Sequence, residues 1–303
     1  MTVEVHRIGD TKDLLGESPC WDAASGALCW IDSLAGSLRR LVPSTGELEQ
    51  HSLPAPIGSM ALCEDGSVVV ALKTRFARYR WATRELQTLA GIGIEHPDVR
   101  LNDGKCDPFG NFVAGTMHIN RQPGDAILGG LYRLRPDGSV EQIAPGFGLA
   151  NGPCFSADGR TLYVADSAIR TIYAYDYAAQ GPLGPPRVFV QTESFGSGPD
   201  GAAVDAEGHV WTVLTRTGQL ARFKPDGTLE RLVQLPATHP TSLCFGGPGL
   251  SSLYVTSISR STHLEGRLPQ DGGLFELRGL PAPGLAPARF AAAAPSRATA
   301  SAA

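Results

Sequence analysis

Between residues 100 and 107 the chain reads Arg100-Leu-Asn102-Asp103-Gly-Lys105-Cys106-Asp107, gathering an Arg, an Asn, two Asp and a Lys into eight residues. A Pro-x-Gly turn and a strand-like run, Asn111-Phe-Val-Ala-Gly-Thr-Met117, follow directly. Binding and catalysis concentrate on loops held by a rigid scaffold, so a connecting segment this polar reads as one that faces a ligand. Three further polar segments look like its partners: Gly16-Glu17-Ser18-Pro19, Ala150-Asn151-Gly152-Pro153 and Pro199-Asp200-Gly201. Brought to one point, the carboxylates of Glu17 and Asp200 and the amide carbonyl of Asn151 form an all-oxygen set that suits a hard divalent cation. Three protein ligands leave positions open for water and substrate, the condition for metal-ion catalysis. Read singly, Glu17 is an exposed loop acid and Asp200 a turn residue, and only convergence makes them a site. Asp107, Asp158 and Asp205 fall in regular Asp-x-x-Gly or Ala-Asp-Gly turns and read as structural, with Asp103 intermediate.

Residues so far apart in sequence need a scaffold that returns to one axis, and the chain has a repeat that provides it. A turn ending in Gly precedes an apolar run at Gly26, Gly66, Gly110, Gly159, Gly208 and Gly249, at spacings of 40, 44, 49, 49 and 41 residues. A second set of turns, Ser44-Thr-Gly46, Pro136-Asp-Gly138 and Pro225-Asp-Gly227, leads into more polar strands. Thr-Gly and Asp-Gly supply the φ > 0 residue that a tight hairpin needs. Two hairpins per period amount to four strands per unit, the signature of a propeller blade. The expected fold is all-β: a six-bladed β-propeller of four-stranded blades around a central channel. The apolar runs are read as the innermost strands, with the polar segments as loops leading into them at one mouth. Val3–Ile8 and Gly273–Leu277 are the natural pair to close the ring, since an open ring leaves strand edges bare. The second repeat is the weakest, with an untidy turn between Arg78–Trp81 and Leu86–Leu89. Residues 1–280 are expected to form one domain, and the Pro/Ala/Ser-rich 281–303 a disordered tail that cannot build a packed core.

The rest of the composition mostly excludes. The 26 basic and 30 acidic residues give a net charge of −4 with no basic stripe, which argues against nucleic acid as a partner. No membrane span or export signal is visible, and a cytoplasmic protein, monomeric or weakly self-associating, is expected. The six cysteines are scattered without a C-x-x-C pair, as reduced, small hydrophobes are. His6, His51, His96, His209, His239 and His263 show no ligand spacing and read as structural, whereas His118, at the end of the Gly-Thr-Met run, is placed to line the mouth. Neither a G-x-S-x-G elbow nor H-E-x-x-H is present.

These segments together resemble the family that includes gluconolactonases and the calcium-binding protein regucalcin, also called senescence marker protein. The residues that carry the resemblance are Leu15-Gly-Glu17-Ser-Pro19, Arg100 to Gly110 with Ala114-Gly-Thr-Met117, Ala150-Asn151-Gly, Ser156 to Ser167, Pro199-Asp200-Gly201, and Pro240 to Gly247 with Leu253-Tyr-Val-Thr-Ser257. They span nearly all of residues 10 to 280. The resemblance implies a six-bladed propeller and one divalent cation (calcium, zinc, manganese, magnesium or iron(II)) held by Glu17, Asn151 and Asp200. It further implies that Asp200 is the catalytic acid/base, that Arg100 and Asn102 contact substrate, and that the substrate is a sugar-derived lactone such as a glucono-, xylono- or arabinono-lactone. Two departures are visible. His118-Ile-Asn120 stands where some relatives carry acidic residues that meet substrate hydroxyls, so His118 and Asn120 are the expected contacts here and the lactone is open. Leu214-Thr-Arg216-Thr replaces a run that is often Trp- and Gly-rich, and Arg216 reads as a solvated loop charge or as positive charge near the mouth. The alternatives to a lactonase are a calcium-binding regulatory protein on the same fold and a propeller used purely as an interaction platform.

Overall fold

The structure is a computed structural model and describes residues 3–291. Six antiparallel sheets of four strands each stand in a ring. Blade one shows the plan, running outward from Gly16–Asp22 through Ala27–Asp32 and Ser37–Val42 to Glu47–Ser52. The innermost strands of the other blades are Ile57–Leu62, Val99–Cys106, Ala150–Phe155, Pro199–Val204 and Pro240–Gly246. Each packs on the next, and the sixth packs on the first, which closes the channel. Glu4–Ile8 pairs with Leu274–Arg278 and supplies the outer strand of blade six, so the two ends of the repeat close the ring as anticipated. The second blade forms its outer hairpin, Arg75–Arg80 with Glu85–Gly91, despite its untidy turn.

The order of strands within a blade corrects the sequence reading. The apolar runs after the turn glycines are the second strands, among them Ala27–Asp32, Val68–Leu72 and Val210–Leu214. They are buried throughout between neighbouring blades and so read as continuous apolar runs. The polar segments read as loops are themselves the innermost strands. Every one of these strands carries a pairing irregularity at the same height: between Glu17 and Cys20, Ile57 and Ser59, Leu101 and Gly104, Asn151 and Cys154, Pro199 and Ala202, and Pro240 and Leu243. A bulge bends its strand and re-aims side chains beside it. It also destroys the period-two alternation by which a strand is read.

A second correction concerns the C-terminal segment. Residues 281–291 run across the end of the channel remote from Glu17 as a strap, from blades five and six to blades two and three. Ala206 N–H donates to Pro283 O (2.9 Å) and Gly284 N–H to Leu250 O (2.9 Å). At the other end Phe290 N–H donates to Leu62 O (2.9 Å) and Ala291 N–H to Gly110 O (3.0 Å). Phe290 is 2% exposed in a cluster with Cys63, Phe76, Cys106 and Phe112, and Arg289 reaches Asp22 of blade one (2.5 Å). Composition alone made this segment a tail because it builds no core of its own. It borrows the propeller's core through one aromatic anchor. Residues 292–303, the rest of the expected tail, lie outside the described residues. Among the described residues, no helix is long and apolar enough to cross a membrane.

Candidate metal and substrate site

The bulged heights of the innermost strands assemble most of the residues singled out above. Glu17 comes from blade one, Arg100, Asn102 and Asp103 from blade three, Asn151 from blade four and Asp200 from blade five. Asn102 Nδ2 donates to Asn151 Oδ1 (2.5 Å) and to Ala150 O (3.0 Å), which ties blade three to blade four. Asn151 Nδ2 donates to Ser167 Oγ (2.9 Å), and Ser167 Oγ donates to Pro199 O (2.5 Å) beside Asp200. Thr215 Oγ1 donates to Asp200 Oδ2 (3.0 Å). Arg100 is buried and directs one guanidinium nitrogen to Leu101 O (2.9 Å) and Asn102 Oδ1 (3.2 Å).

The glycines that follow Asn151 and Asp200 have a packing reason. A Cβ on Gly152 would lie 2.4 Å from Asp200 O, and one on Gly201 would lie 2.3 Å from Ser242 Oγ. Gly152 also has φ +55°. Pro-Asp-Gly is therefore strand here and not a turn, with its glycine admitting the next blade.

Burial sets the electrostatics. Three carboxylates (Glu17, Asp103, Asp200) face two cations (Arg100, Lys105), so full ionisation leaves 3 − 2 = 1 negative charge in a desolvated place. Desolvation, then Asp200 and Asp103, push the Glu17 carboxyl well above its ordinary range, and Arg100 only partly offsets them. Desolvation and then Asp103 push Asp200 up to about 8, against the Thr215 hydroxyl bond. Burial also raises Asp103, although Lys105 and two amides oppose it: Gly104 N–H on Oδ1 (2.8 Å) and Gly152 N–H on Oδ2 (2.9 Å). Arg100 is drawn down to about 10 by burial, with Glu17 acting against it. Glu17 Oε2 is buried with no hydrogen-bond partner. A buried carboxylate oxygen left bare costs free energy, and a proton or a cation relieves it. The chemistry of the residues present fits a hard divalent ion, and Glu17, Asn151 and Asp200 are the residues that would hold it.

The remaining expectations divide. His118 is half-buried at the rim. Asn120 is exposed and donates to Asp98 Oδ1 (2.9 Å), outside the buried group. Arg216 is an exposed loop residue. Asp107 and Asp205 are fully buried structural acids, the latter accepting from Trp211 Nε1 (3.0 Å). Sequence reasoning passed over Ser167, Thr215 and Lys105, whose Nζ donates across the channel to Ala202 O (2.6 Å). A Ser or Thr just after an apolar second strand was the available signal for the first two. His96, which reads as structural in the sequence, packs its ring edge-on against His118 with centroids 4.9 Å apart.

Comparison with known proteins finds similar sequences and folds over most of the chain. Residues 15–259 match the SMP-30/Gluconolactonase/LRE-like region. Regucalcin of Gallus gallus is 36% identical over 298 residues, 96% of this chain and 99% of that protein. Among solved structures, a luciferin-regenerating enzyme superposes with a TM-score of 0.89 at 27% identity, covering 96% of this chain and 100% of that one. Regucalcin of Agrobacterium tumefaciens, described as a calcium-binding protein, gives 0.85 at 30% identity, covering 94% of this chain and 96% of that one.

Proposed function

The chain belongs to the SMP-30/gluconolactonase/LRE-like family, and on that premise we propose that it is a metal-dependent lactonase opening a sugar-derived lactone to the aldonic acid. The observation that carries the reading is the buried meeting of three carboxylates with Arg100 and Asn102 at one mouth of the channel. A bare ion site has no use for a buried arginine beside it, whereas a polyhydroxylated lactone does.

In this reading Glu17, Asn151 and Asp200 hold the cation, with calcium, magnesium or manganese best suited to the oxygen set. Once bound, the cation supplies Lewis-acid charge stabilisation at the lactone carbonyl, worth several kcal/mol. Asp200 accepts the proton of the attacking water. The Thr215 hydroxyl fixes the orientation of its second oxygen. Arg100 and Asn102 orient the ring, and His118 and Asn120 meet the substituents farthest from the cation. As they replace acidic groups, they reward a different hydroxyl pattern.

A second reading, a calcium-binding regulator without catalysis, is favoured by the description of the Agrobacterium relative as a calcium-binding protein and by the regucalcin name of the Gallus gallus relative. The test that separates the two is proton release in weak buffer from a panel of pentono- and hexono-lactones, with chelator and after metal is restored. The lactonase reading expects turnover of at least one lactone, lost with chelator and regained with metal. Rates at the uncatalysed background across the panel would leave the regulator.

A further inference from the structure

The rim of the same mouth carries a second group of ligating side chains. His96 and Asp98 precede the innermost strand of blade three, and His118 ends the second strand of that blade, opposite Val99. One nitrogen from each ring and one oxygen of Asp98 all lie within 4.8 Å of one another. We propose that His96, Asp98 and His118 form a second metal site, which takes a divalent transition ion of the zinc, cobalt or copper type. This goes beyond the lactonase reading and does not depend on it.

Donor chemistry separates the two sites. Two imidazoles and a carboxylate are the ligands that zinc and copper select, and with a water they complete a tetrahedron. The buried set offers oxygen only and suits harder ions. Local bonding supports the assignment. Asn120 Nδ2 donates to Asp98 Oδ1 (2.9 Å), which leaves the other oxygen free and supplies the kind of outer partner that orients a ligating carboxylate. Ile119 N–H donates to the Asp98 carbonyl (2.8 Å), so the segment bearing His96 and Asp98 is stitched to the strand bearing His118. His118 Nδ1 is buried without a hydrogen-bond partner. A buried polar atom left bare is costly, and ligation of an ion by this ring offsets that cost. His96 Nδ1 accepts a long bond from the Asp98 amide (3.2 Å), which is weak enough to exchange for an ion.

The experiment uses the full chain with calcium in excess to fill the oxygen site, and one equivalent of Cu²⁺ as the paramagnetic probe. Electron paramagnetic resonance then reads nitrogen ligation directly, whether or not any lactone is turned over. The parent protein is expected to show superhyperfine coupling to two nitrogens, reduced to one in His96→Ala and in His118→Ala. Asn120→Ala is expected to keep two nitrogens but bind roughly 10-fold more weakly, the usual cost of losing an outer partner. Circular dichroism checks that each variant folds; should one histidine variant fail, the other together with Asn120→Ala decides. Fewer than two nitrogens in the parent, or a two-nitrogen spectrum persisting in a folded histidine variant, would overturn the site.

Discussion

The two ends of the channel are built from the same six strands and differ in almost everything else. At the mouth those strands present Glu17, Gly58, Asp103, Asn151, Asp200 and Thr241; three residues further along they present Cys20, Ala61, Cys106, Cys154, Ala203 and Cys244. The second ring, with Asp103 and Lys105 reaching it from the polar level, lines a cavity of about 430 Å³ that the strap residues Leu285, Ala286, Pro287 and Ala288 close. Burial acts on both ends with opposite consequences. It pushes the Cys154 thiol up to about 12, and Cys106 and Cys244 well above their ordinary value, which keeps these thiols neutral and inert. The same desolvation lifts Asp200 to about 8, where its ionisation is contested near neutral pH. One end is content in the dark, and the other calls for a cation. The bulge between the two rings lets one strand serve both.

That contrast can be broken from either end. The largest effect is expected at the closed end, where Phe290→Ala removes a fully buried aromatic and should destabilise the fold by about 3–5 kcal/mol. Removal of residues 281–303 should cost at least as much. Thermal denaturation reads both, and a melting temperature within a degree or two of the parent would return the strap to the status of a tail.

At the mouth, Asp200→Asn keeps a carbonyl oxygen for the cation but cannot accept a proton. Lactone turnover at saturating metal should fall by at least roughly 10²-fold. A parental rate under those conditions would move the base elsewhere, with Asp103 next in line.

The pH dependence of stability should sharpen the difference. In the metal-stripped protein the folded pKa of Asp200, about 8, exceeds the unfolded value of about 3.9, so the folded chain holds the proton more tightly. Its contribution is therefore full below about pH 4 and is lost as pH rises through about 8. Glu17, also raised, adds in the same sense. Saturating metal should thus raise the melting temperature more at about pH 8.5 than at about pH 5. Calorimetric melting curves with and without metal decide this, and an equal or reversed increment would contradict it. The smallest effect belongs to the thiol ring: Cys154→Ala should cost about 1 kcal/mol and leave turnover unchanged, as a packing residue would.

How much of this was legible in the sequence depended on whether a residue's neighbours followed a regular pattern. The turn glycines are regular and gave the blade count, and the strand-like runs at Val3–Ile8 and Gly273–Leu277 gave the closure. Glu17, Asn151 and Asp200 stood out by type, and the fold brings them to the same height. Their strands were mistaken for loops because Asn151-Gly152 and Asp200-Gly201 imitate turns, when the glycine is there for the adjacent blade. Asp103 could not be ranked because its two amide bonds come partly from Gly152, a blade away. His96 looked isolated because its partner, His118, lies across a hairpin. The strap hid behind its composition, since one phenylalanine among alanines and prolines gives no periodicity to read.

The central claim is that the buried oxygen donors hold the cation on which lactone opening depends. It is tested most directly by following metal occupancy and turnover in the same titration, for the stripped parent protein and for Glu17→Gln. In the parent the two curves should share a midpoint, and in Glu17→Gln both should move together to higher metal concentration. Full turnover in the stripped parent, or parental midpoints for both curves in Glu17→Gln, would contradict the account.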